Sequence, residues 1–300
     1  MGTADAVPGI SGGSIALITG VYQRLIKALS SPDLDLFEEL LNKSKKSDLQ
    51  ALKDIFLKMD VPFLLVLGSG VITAILIVLN LIEGLLESDP IPVFSFFIGL
   101  ILVSAVIIYR EVELETYWSK FSAITGFLFA LLVAGVGAGS LGHSPLILFF
   151  SGTLAISAMI LPGISGSLIL VMLGQYEYMS DIVSTATDTI IGVFTGEASS
   201  GLMESVIPAS IFIFGAFTGI FSMVKVVKKA LDRNREATMA FLVSLMLGSL
   251  RAPLTRIDQA INAQGVSWIS IAPEFLLASA VGGALIYVLD FKTLNEKKSD

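Results

Sequence analysis

The sequence predicts an all-α polytopic membrane protein, built as an inverted-topology repeat with two re-entrant broken helical hairpins. Three observations lead to this fold class. Only 15% of the 300 residues are charged and 54% are hydrophobic, whereas a soluble domain of this size carries more charge. Several runs of at least 20 residues contain no Asp, Glu, Lys or Arg, which is the length of a transmembrane helix. Finally, the motif Pro-Gly-Ile-Ser-Gly occurs at 8–12 and again at 162–166.

The uncharged runs and their flanks predict about six full transmembrane helices. They are expected at 61–82, 90–109, 121–142, 205–224, 237–253 and 272–289. Lys and Arg are frequent within 24–58 and 225–235 and in the C-terminal tail, whereas the charges of 83–89 and 177–204 are all acidic. By the positive-inside rule the basic segments, including the C-terminus, are cytoplasmic. We therefore expect a multi-pass membrane protein, which in a bacterium or archaeon would lie in the cytoplasmic (inner) membrane.

The repeated motif predicts two segments that enter the membrane without crossing it. At a constant offset of 154, eight of the fifteen positions from Pro8 to Tyr22 are identical to those from Pro162 to Tyr176. The uncharged run 144–176 has 33 residues, about 50 Å as one helix, which is too long for one crossing and too short for two. Because proline and glycine break helices, we expect a hairpin that turns at Pro162 and returns to the same face.

The charges that follow the two motif copies predict opposite orientations. The first copy, at 6–23, precedes a basic segment, whereas the hairpin at 144–178 precedes an acidic one. Residues 1–142 are thus the first predicted repeat and residues 143–300 the second. Broken segments at corresponding places in two inverted halves are typical of transporters with a substrate site near the middle of the membrane. Residues 33–60 predict an amphipathic helix on the cytoplasmic lipid surface, or a plain connector helix.

Each predicted break is followed by a short half-helix rich in serine and glycine. Serine hydroxyls cap helix N-termini, and glycines let a ligand approach the backbone. A helix N-terminus with such groups binds anions, above all phosphate. The predicted headgroup-binding residues are Ser11, Gly12, Gly13, Ser14, Ser165, Gly166 and Ser167. For one such copy alone, close helix packing would be the favoured explanation, but the shared core of two copies favours a binding site.

Arg251 is the predicted cation of this site. It follows 14 uncharged residues that begin at Ala237, so a span of normal length either buries it or holds it near an interface. A buried guanidinium suits a phosphate, whereas an interfacial one extends to water, and spacing leaves both alternatives open. Asp5 and Glu177 flank the motifs and are candidates for carrying a coupling proton, or are solvated ends of these segments.

Composition argues against several other classes of function. The chain has no cysteine and one histidine, His143, so thiolate chemistry and a metal site built on these residues are not expected. A net charge of −7 without a basic stripe does not suit nucleic-acid binding. The first residues, MGTADAVPG, have no basic region and no continuous apolar core, so a cleaved signal peptide is not expected. No cofactor is predicted.

The stretches ADAVPGISGGSIALITGVY and LPGISGSLILVMLGQYE, with GSLRAP at 248–253, closely resemble the polyprenyl-phosphate transporter family, formerly a membrane domain of unknown function. The resemblance implies translocation of undecaprenyl phosphate, or a related polyprenyl phosphate, to the inner leaflet for reuse as a glycan carrier. It implies the lipid as partner, with protons or another ion for coupling. It places Asp5, Tyr176, Glu177, Arg251 and the serines and glycines above on family motif positions. Gln23 departs from the pattern, because an acidic residue often follows the first Tyr.

Two other functions compete with this one. Membrane polyprenyl-diphosphate phosphatases also have inverted halves, with a Pro-Gly-x-Ser motif that continues into Arg-Ser. Here Gly12 follows Ser11 and Gly166 follows Ser165, so neither serine has a neighbouring cation or a visible base, and an enzyme is not expected. A transporter of a small anion stays open, because a half-helix terminus does not reveal what is attached to a phosphate.

Overall fold

The structure, a computed structural model, describes residues 1–2, 11–30, 56–57, 59–110, 116–135, 141–182, 185 and 202–299. Regular secondary structure in these residues is helical, as predicted. The helices are α1 (Gly12–Ile18), α2 (Tyr22–Ser30), α3 (Val61–Ser88), α4 (Pro90–Arg110), α5 (Tyr117–Val133), α6 (Pro145–Ile160), α7 (Gly166–Met172), α8 (Leu202–Arg233), α9 (Arg235–Ser249), α10 (Arg251–Gln264) and α11 (Trp268–Ser299). Asp5, the start of the first motif copy and the predicted amphipathic segment up to residue 55 lie outside the described residues.

Within the described residues, four helices are long and apolar enough to cross a membrane. They are Pro90–Arg110, Val206–Arg233, Arg235–Gln264 and Trp268–Val288. The other two predicted spans fall on α5, a shorter apolar helix of 17 residues, and on α3, a helix of 28 residues. The chain is therefore a helical, multi-pass membrane protein, as its hydropathy predicts.

The helix α4 lies at the centre of the bundle. In its most apolar stretch 61% of the residues are buried, against 11% in α8 and 22% in α11. One apolar core joins Ile98 of α4 to Ala16 of α1, Tyr22 of α2, Met246 of α9 and Ile257 of α10. The exposed faces of α8 and α11 are apolar, which suits helices that border lipid.

Three helix pairs pack through glycines that face each other's backbone. The pairs are α4 with α11, α5 with α9, and α6 with α8. In each pair, both helices have a glycine whose added Cβ would collide with a carbonyl of the partner. These are Gly99 and Gly282, Gly126 and Gly248, and Gly152 and Gly215, in that order. Small residues bring helix backbones together in lipid, where burial of apolar surface contributes little to association.

From Ser11 onward, the first motif copy has the same backbone conformation as the second. Both half-helices, α1 and α7, have seven residues, and the offset of 154 that aligns the sequences also aligns their ends. Ser11 and Ser165 precede them in extended backbone, with φ/ψ of −113°/127° and −97°/133°. Gly20 and Gly174 follow them in the left-handed region, with φ of 72° and 67°. The sequence repeat is therefore also a repeat of local structure.

Candidate functional site

The second motif copy interrupts a helix at the predicted place. The helix α6 ends at Ile160, and α7 begins at Gly166. Leu161 has extended backbone, with φ/ψ of −77°/126°, as a residue before proline prefers. Gly163 has a φ of +89°. This conformation favours glycine, because glycine has no Cβ to clash with the backbone. Pro162 and Gly163 thus produce the break that their sequence predicts.

The structure brings the two motif copies together, although about 150 residues separate them. The Ser11 hydroxyl donates a hydrogen bond to the Leu161 carbonyl at 3.4 Å. A Cβ on Gly13 would lie 3.0 Å from the carbonyl oxygen of Met159 and 3.3 Å from that of Ile160. The helix α1 therefore packs closely against the end of α6, and the first copy lies against the break in the second. We call this contact region the motif junction.

Glycines of the second copy also face neighbouring protein. A Cβ on Gly163 would lie 2.8 Å from the carbonyl oxygen of Leu245 and 2.9 Å from the Cα of Met246. A Cβ on Gly166 would lie 2.9 Å from the Ala155 carbonyl oxygen. These glycines therefore allow close helix packing, which is the alternative that the sequence left open. Ligand binding by the backbone N–H groups is a separate property and stays a prediction.

The serine hydroxyls place polar groups inside the protein. Ser11, Ser14 and Ser165 are only 3%, 1% and 8% exposed. The hydroxyls of Ser165 and Ser167 lie 2.8 Å apart and share a hydrogen bond. The Ser14 hydroxyl has no hydrogen-bond partner among the described residues. A buried hydroxyl without a partner is destabilising by about 1–3 kcal/mol, and an oxygen of a bound ligand would relieve that cost.

Arg251 lies on a candidate membrane span, five residues after Met246, which packs against Gly163 at the motif junction. The span Arg235–Gln264 contains it, and 16 residues of helix from Arg235 correspond to about 24 Å. The whole span is about 45 Å long, more than a hydrocarbon core of about 30 Å, and the Arg251 side chain is exposed, so its depth in the membrane stays a prediction. The five residues from Met246 to Arg251 correspond to about 8 Å of helix.

The guanidinium of Arg251 contacts the C-terminal end of α5. Its Nη1 donates to the Leu131 carbonyl at 3.0 Å, and the group covers Gly135, where an added Cβ would collide with Nη1 and the guanidinium would have to move. A cation at a helix C-terminus is favourable, because the last carbonyls carry partial negative charge. This bond uses one of five guanidinium donors, and no second protein acceptor is found among the described residues. Phosphate binding by the other donors stays a prediction.

The two further predicted residues of the second copy lie after α7. Tyr176 is 47% exposed, Glu177 is exposed, and both begin a helical segment at 176–182. In the part of the chain that the structure describes, neither forms a hydrogen bond with the motif serines. Their role in coupling or gating is therefore not tested by the geometry.

Sequence reasoning missed a buried glutamine beside this copy. Gln175 is 0% exposed, and its amide donates to the Leu141 carbonyl at 3.0 Å. Its Oε1 pairs with Nδ1 of His143 at 3.1 Å, and the histidine ring stacks on Tyr178 with centroids 4.0 Å apart. These contacts tie the start of α6 to the end of the second copy. One feature of the sequence could have indicated this residue: Gln175 is a polar amide in an apolar run, and the equivalent residue of the first copy is Val21.

The described side chains offer binding chemistry at the motif junction. The observed hydrogen bonds of Ser11 and Ser165 go to a carbonyl and to another hydroxyl, so they do not activate either serine as a nucleophile. No group of three His, Asp or Glu within the described ranges is arranged to hold a metal ion. What remains is a set of hydroxyl and amide dipoles in an apolar surrounding, which can replace the hydration of a polar ligand.

Fold and site together define a polytopic helical membrane protein in which one helix is interrupted at Pro162 and Gly163 and a second copy of the motif packs against that break. Residues 1–266 match the model of the VCA0040-like family, which is described as undecaprenyl phosphate translocase-like. The chain belongs to this family.

Two curated relatives agree with the family match. A polyprenyl-phosphate transporter of Vibrio cholerae is 35% identical over 250 residues, which cover 83% of this chain and 73% of the relative. A polyprenyl-phosphate transporter of Staphylococcus aureus is 26% identical over 301 residues, covering 94% of this chain and 93% of the relative. No solved structure matches the chain.

Proposed function

We propose that this protein translocates undecaprenyl phosphate, or a related polyprenyl phosphate, across the cytoplasmic membrane for carrier-lipid recycling. The family match over residues 1–266 and two relatives named polyprenyl-phosphate transporters support this function. The observation that carries it in the structure is the motif junction, where the buried Ser11 hydroxyl of the first half bonds to the Leu161 carbonyl at the break in the second half. The proposed direction is from the outer to the inner leaflet.

The proposed headgroup site combines hydroxyls, backbone donors and one cation. A phosphate that enters the membrane loses hydration, and preorganised donors must replace it. Seven motif residues, with Arg251, would supply these donors: Ser11, Gly12, Gly13, Ser14, Ser165, Gly166 and Ser167. The Ser14 hydroxyl has no hydrogen-bond partner among the described residues, and Arg251 has guanidinium donors that its bond to Leu131 does not use. These groups would donate to the phosphate oxygens. Asp5 or Glu177 would carry a coupling proton, with Tyr176 at the gate.

The two halves, 1–142 and 143–300, are proposed to be inverted repeats with re-entrant motif segments. The matching conformation of α1 and α7 supports a repeat. Helix pairing also supports it, because α3, α4 and α5 occupy the places of α8, α9 and α11 in the chain order. Exchanging the halves converts the pair α5–α9 into the pair α11–α4, and both pairs are observed. In this topology the C-terminus is cytoplasmic.

Hydrolysis is the less favoured function. The relatives are named as transporters, and the described contacts of Ser11 and Ser165 include no base. Purified protein should therefore release no inorganic phosphate from polyprenyl phosphate or diphosphate. Turnover that Ser11→Ala or Ser165→Ala abolishes would establish an enzyme instead.

Leaflet-resolved transport in proteoliposomes tests the proposed function. Labelled polyprenyl phosphate should change leaflet faster with protein than in empty liposomes, with and without a pH gradient. Labelled inorganic phosphate, tested in the same vesicles, separates lipid translocation from transport of a small anion. Movement of inorganic phosphate alone would overturn the lipid assignment.

Single-cysteine labelling tests the topology, since the natural chain has no cysteine. Lys229→Cys, in the basic end of α8, should react with a membrane-impermeant reagent only from the cytoplasm. Asp181→Cys, after the second motif copy, should react only from outside. Labelling of both from one side would contradict the inverted repeat.

A further inference from the structure

An apolar cavity of about 510 Å³ lies between α5, α8 and α9, beside the motif junction. Its lining includes Phe129 of α5, Val226 and Ala230 of α8, Phe241 of α9, and Leu161 from the break. A volume of this size falls within the range of pockets that bind small molecules. We call it the apolar groove.

The groove offers no free hydrogen-bonding side chain. Thr125 and Thr238 are its two polar lining residues, and both hydroxyls are bonded back to their own helices. The Thr125 hydroxyl donates to the Phe121 carbonyl at 3.0 Å, and that of Thr238 to the Asn234 carbonyl at 2.8 Å. A charged or hydrated ligand would lose its water here without compensation. The groove therefore suits hydrocarbon.

Exposure shows that the groove opens at the surface of the bundle between α5 and α8. Its floor is formed by Leu242, which is 1% exposed, whereas Phe129 and Val226 on the two walls are 47% and 60% exposed. A chain that remains partly in the bilayer can enter such a groove from the side. A closed internal cavity would not admit it.

Leu161 connects the groove to the motif junction. Its carbonyl accepts the hydrogen bond from Ser11, and the same residue lines the groove. At the other end, Ala230 lies next to Lys228 and Lys229 in the basic end of α8. The groove thus runs from the motif junction toward the predicted cytoplasmic face.

We propose that the apolar groove binds the isoprenoid chain next to the phosphate of the transported lipid. This inference rests on the proposed function. With the phosphate at the motif junction, the first isoprene units need an apolar path that begins at Leu161, and the groove is that path. Branched methyl groups fill the space between Phe, Val, Met and Leu side chains, so the chain contributes affinity through buried area.

A groove-filling substitution, with a matched control on the same helix, tests this proposal. Val226→Trp places a ring in the groove, whereas Val206→Trp adds the same ring at an exposed position of α8 outside it. Each protein is reconstituted in nanodiscs, and binding of farnesyl phosphate and of methyl phosphate is measured. Val226→Trp should weaken farnesyl phosphate binding roughly tenfold or more, since each buried methylene contributes about fourfold. Methyl phosphate binding should not change, and Val206→Trp should alter neither.

The outcomes separate this proposal from the function on which it rests. Equal farnesyl phosphate affinity in Val226→Trp and wild type would place the chain elsewhere and overturn the groove assignment. Loss of both ligands only in Val226→Trp would indicate a damaged headgroup site, and would also overturn it. If wild type bound neither ligand, the proposed function itself would fail. A photo-crosslinker at Val226 should capture farnesyl phosphate in competition with excess phosphatidylglycerol, and capture of phosphatidylglycerol alone would indicate a general lipid crevice.

Discussion

The two motif copies share a sequence and, from Ser11 and Ser165 onward, a backbone conformation, but they differ in burial. Five of the seven residues of α1 are buried, whereas in α7 only Gly166 is. Tyr22 is 1% exposed, and its counterpart Tyr176 is 47% exposed. Ser11 bonds across the motif junction to Leu161, while Ser165 bonds within its own copy.

The segments that follow the copies are also held by different chemistry. After the first copy, Arg24 forms a two-bond ion pair with Asp60, at 2.6 and 2.9 Å, and lies 4.3 Å from the ring centre of Phe63. After the second, Tyr178 occupies the equivalent position and stacks on His143. The first attachment is charged and the second is aromatic.

This comparison teaches that a repeat of sequence does not make two equal sites in one conformation. Burial depends on which helices lie alongside, and α1 packs against α2, α4 and α6, whereas α7 packs mainly against α6. In an inverted-repeat transporter a single state makes the two halves unequal, and the opposite state exchanges their environments. In this state the first copy would then be packed inside the protein, and the second copy would be accessible to a ligand.

The largest expected effect is on stability, and it compares two glycines with a left-handed backbone. Gly163 is tightly packed, whereas Gly20 faces open space. Gly163→Ala combines a φ of +89° with a Cβ 2.8 Å from the Leu245 carbonyl, whereas Gly20→Ala has a φ of +72° and open space. Both substitutions strain the backbone by about 1–2 kcal/mol, and Gly163→Ala adds about 1–3 kcal/mol of overpacking. Thermal unfolding in detergent should show a clearly lower melting temperature for Gly163→Ala. Equal melting temperatures would mean that the second copy is not packed as described.

The next effect concerns the cation beside the second copy. Arg251→Lys should weaken binding of a short-chain polyprenyl phosphate roughly 10- to 150-fold, the loss of a charge-assisted contact of about 1.5–3 kcal/mol. Lys cannot reproduce the planar fork that bonds to Leu131 and would, in the proposed site, also reach a phosphate. Arg256→Lys, on the exposed face of the same span, is the control and should bind as wild type. Unchanged affinity in Arg251→Lys would leave this arginine with its role at the end of α5.

A smaller effect distinguishes the two equivalent serines. Ser11→Ala removes the hydrogen bond to Leu161 and should lower the free energy of unfolding by about 0.5–1.5 kcal/mol. Ser165→Ala should change stability less and headgroup affinity more, because its copy is the accessible one. Melting temperatures and phosphate-ligand titrations of both variants check this. The asymmetry of the copies is disproved if both variants lose the same stability and the same affinity.

The smallest expected effect is a pH dependence of stability, which comes from the ion pair between Arg24 and Asp60 that follows the first copy. The hydrogen bond from Arg24 lowers the pKa of Asp60 below its ordinary value. A lowered pKa in the folded state stabilises the protein above the unfolded value of about 4, and this stabilisation is lost as pH falls through the folded pKa. Melting curves of wild type and Asp60→Asn should therefore differ at pH 6 and converge below about pH 4. If the melting temperatures of wild type and Asp60→Asn still differed at low pH, the difference would come from packing and not from the ion pair. Because both groups are solvent-exposed, the effect should be small.

Much of the fold could be read from local sequence features. Sparse charge and long apolar runs predict membrane helices, because lipid requires internally satisfied backbone and apolar side chains. The break at Pro162 follows from the missing backbone donor of proline, and the repeat of α1 in α7 follows from shared serine and glycine positions. The predicted capping by serine side chains is wrong for Ser11 and Ser165, because neither hydroxyl caps its helix and both bond elsewhere. The expected amphipathic segment and Asp5 lie in parts of the chain that the structure does not describe.

The candidate site could be predicted only in part. The sequence singled out Ser11 and Ser165 because their motif recurs, but it could not show that Ser11 bonds to Leu161 or that Gly13 lies on the end of α6. Arg251 was identified by its place near the end of an apolar run. Its contact with Leu131 and Gly135, 120 and 116 positions earlier, depends on how α5 and α9 pair.

The sequence by itself determined the membrane class, the doubled motif and the interrupted helices, because these follow from hydropathy, proline and glycine, which act over a few neighbouring residues. Only the tertiary structure decided which copy is buried, which glycines meet backbone and where an apolar groove opens beside Leu161. Those properties depend on helices that are distant in sequence, and the packing of one apolar helix face on another leaves no signature in either segment alone.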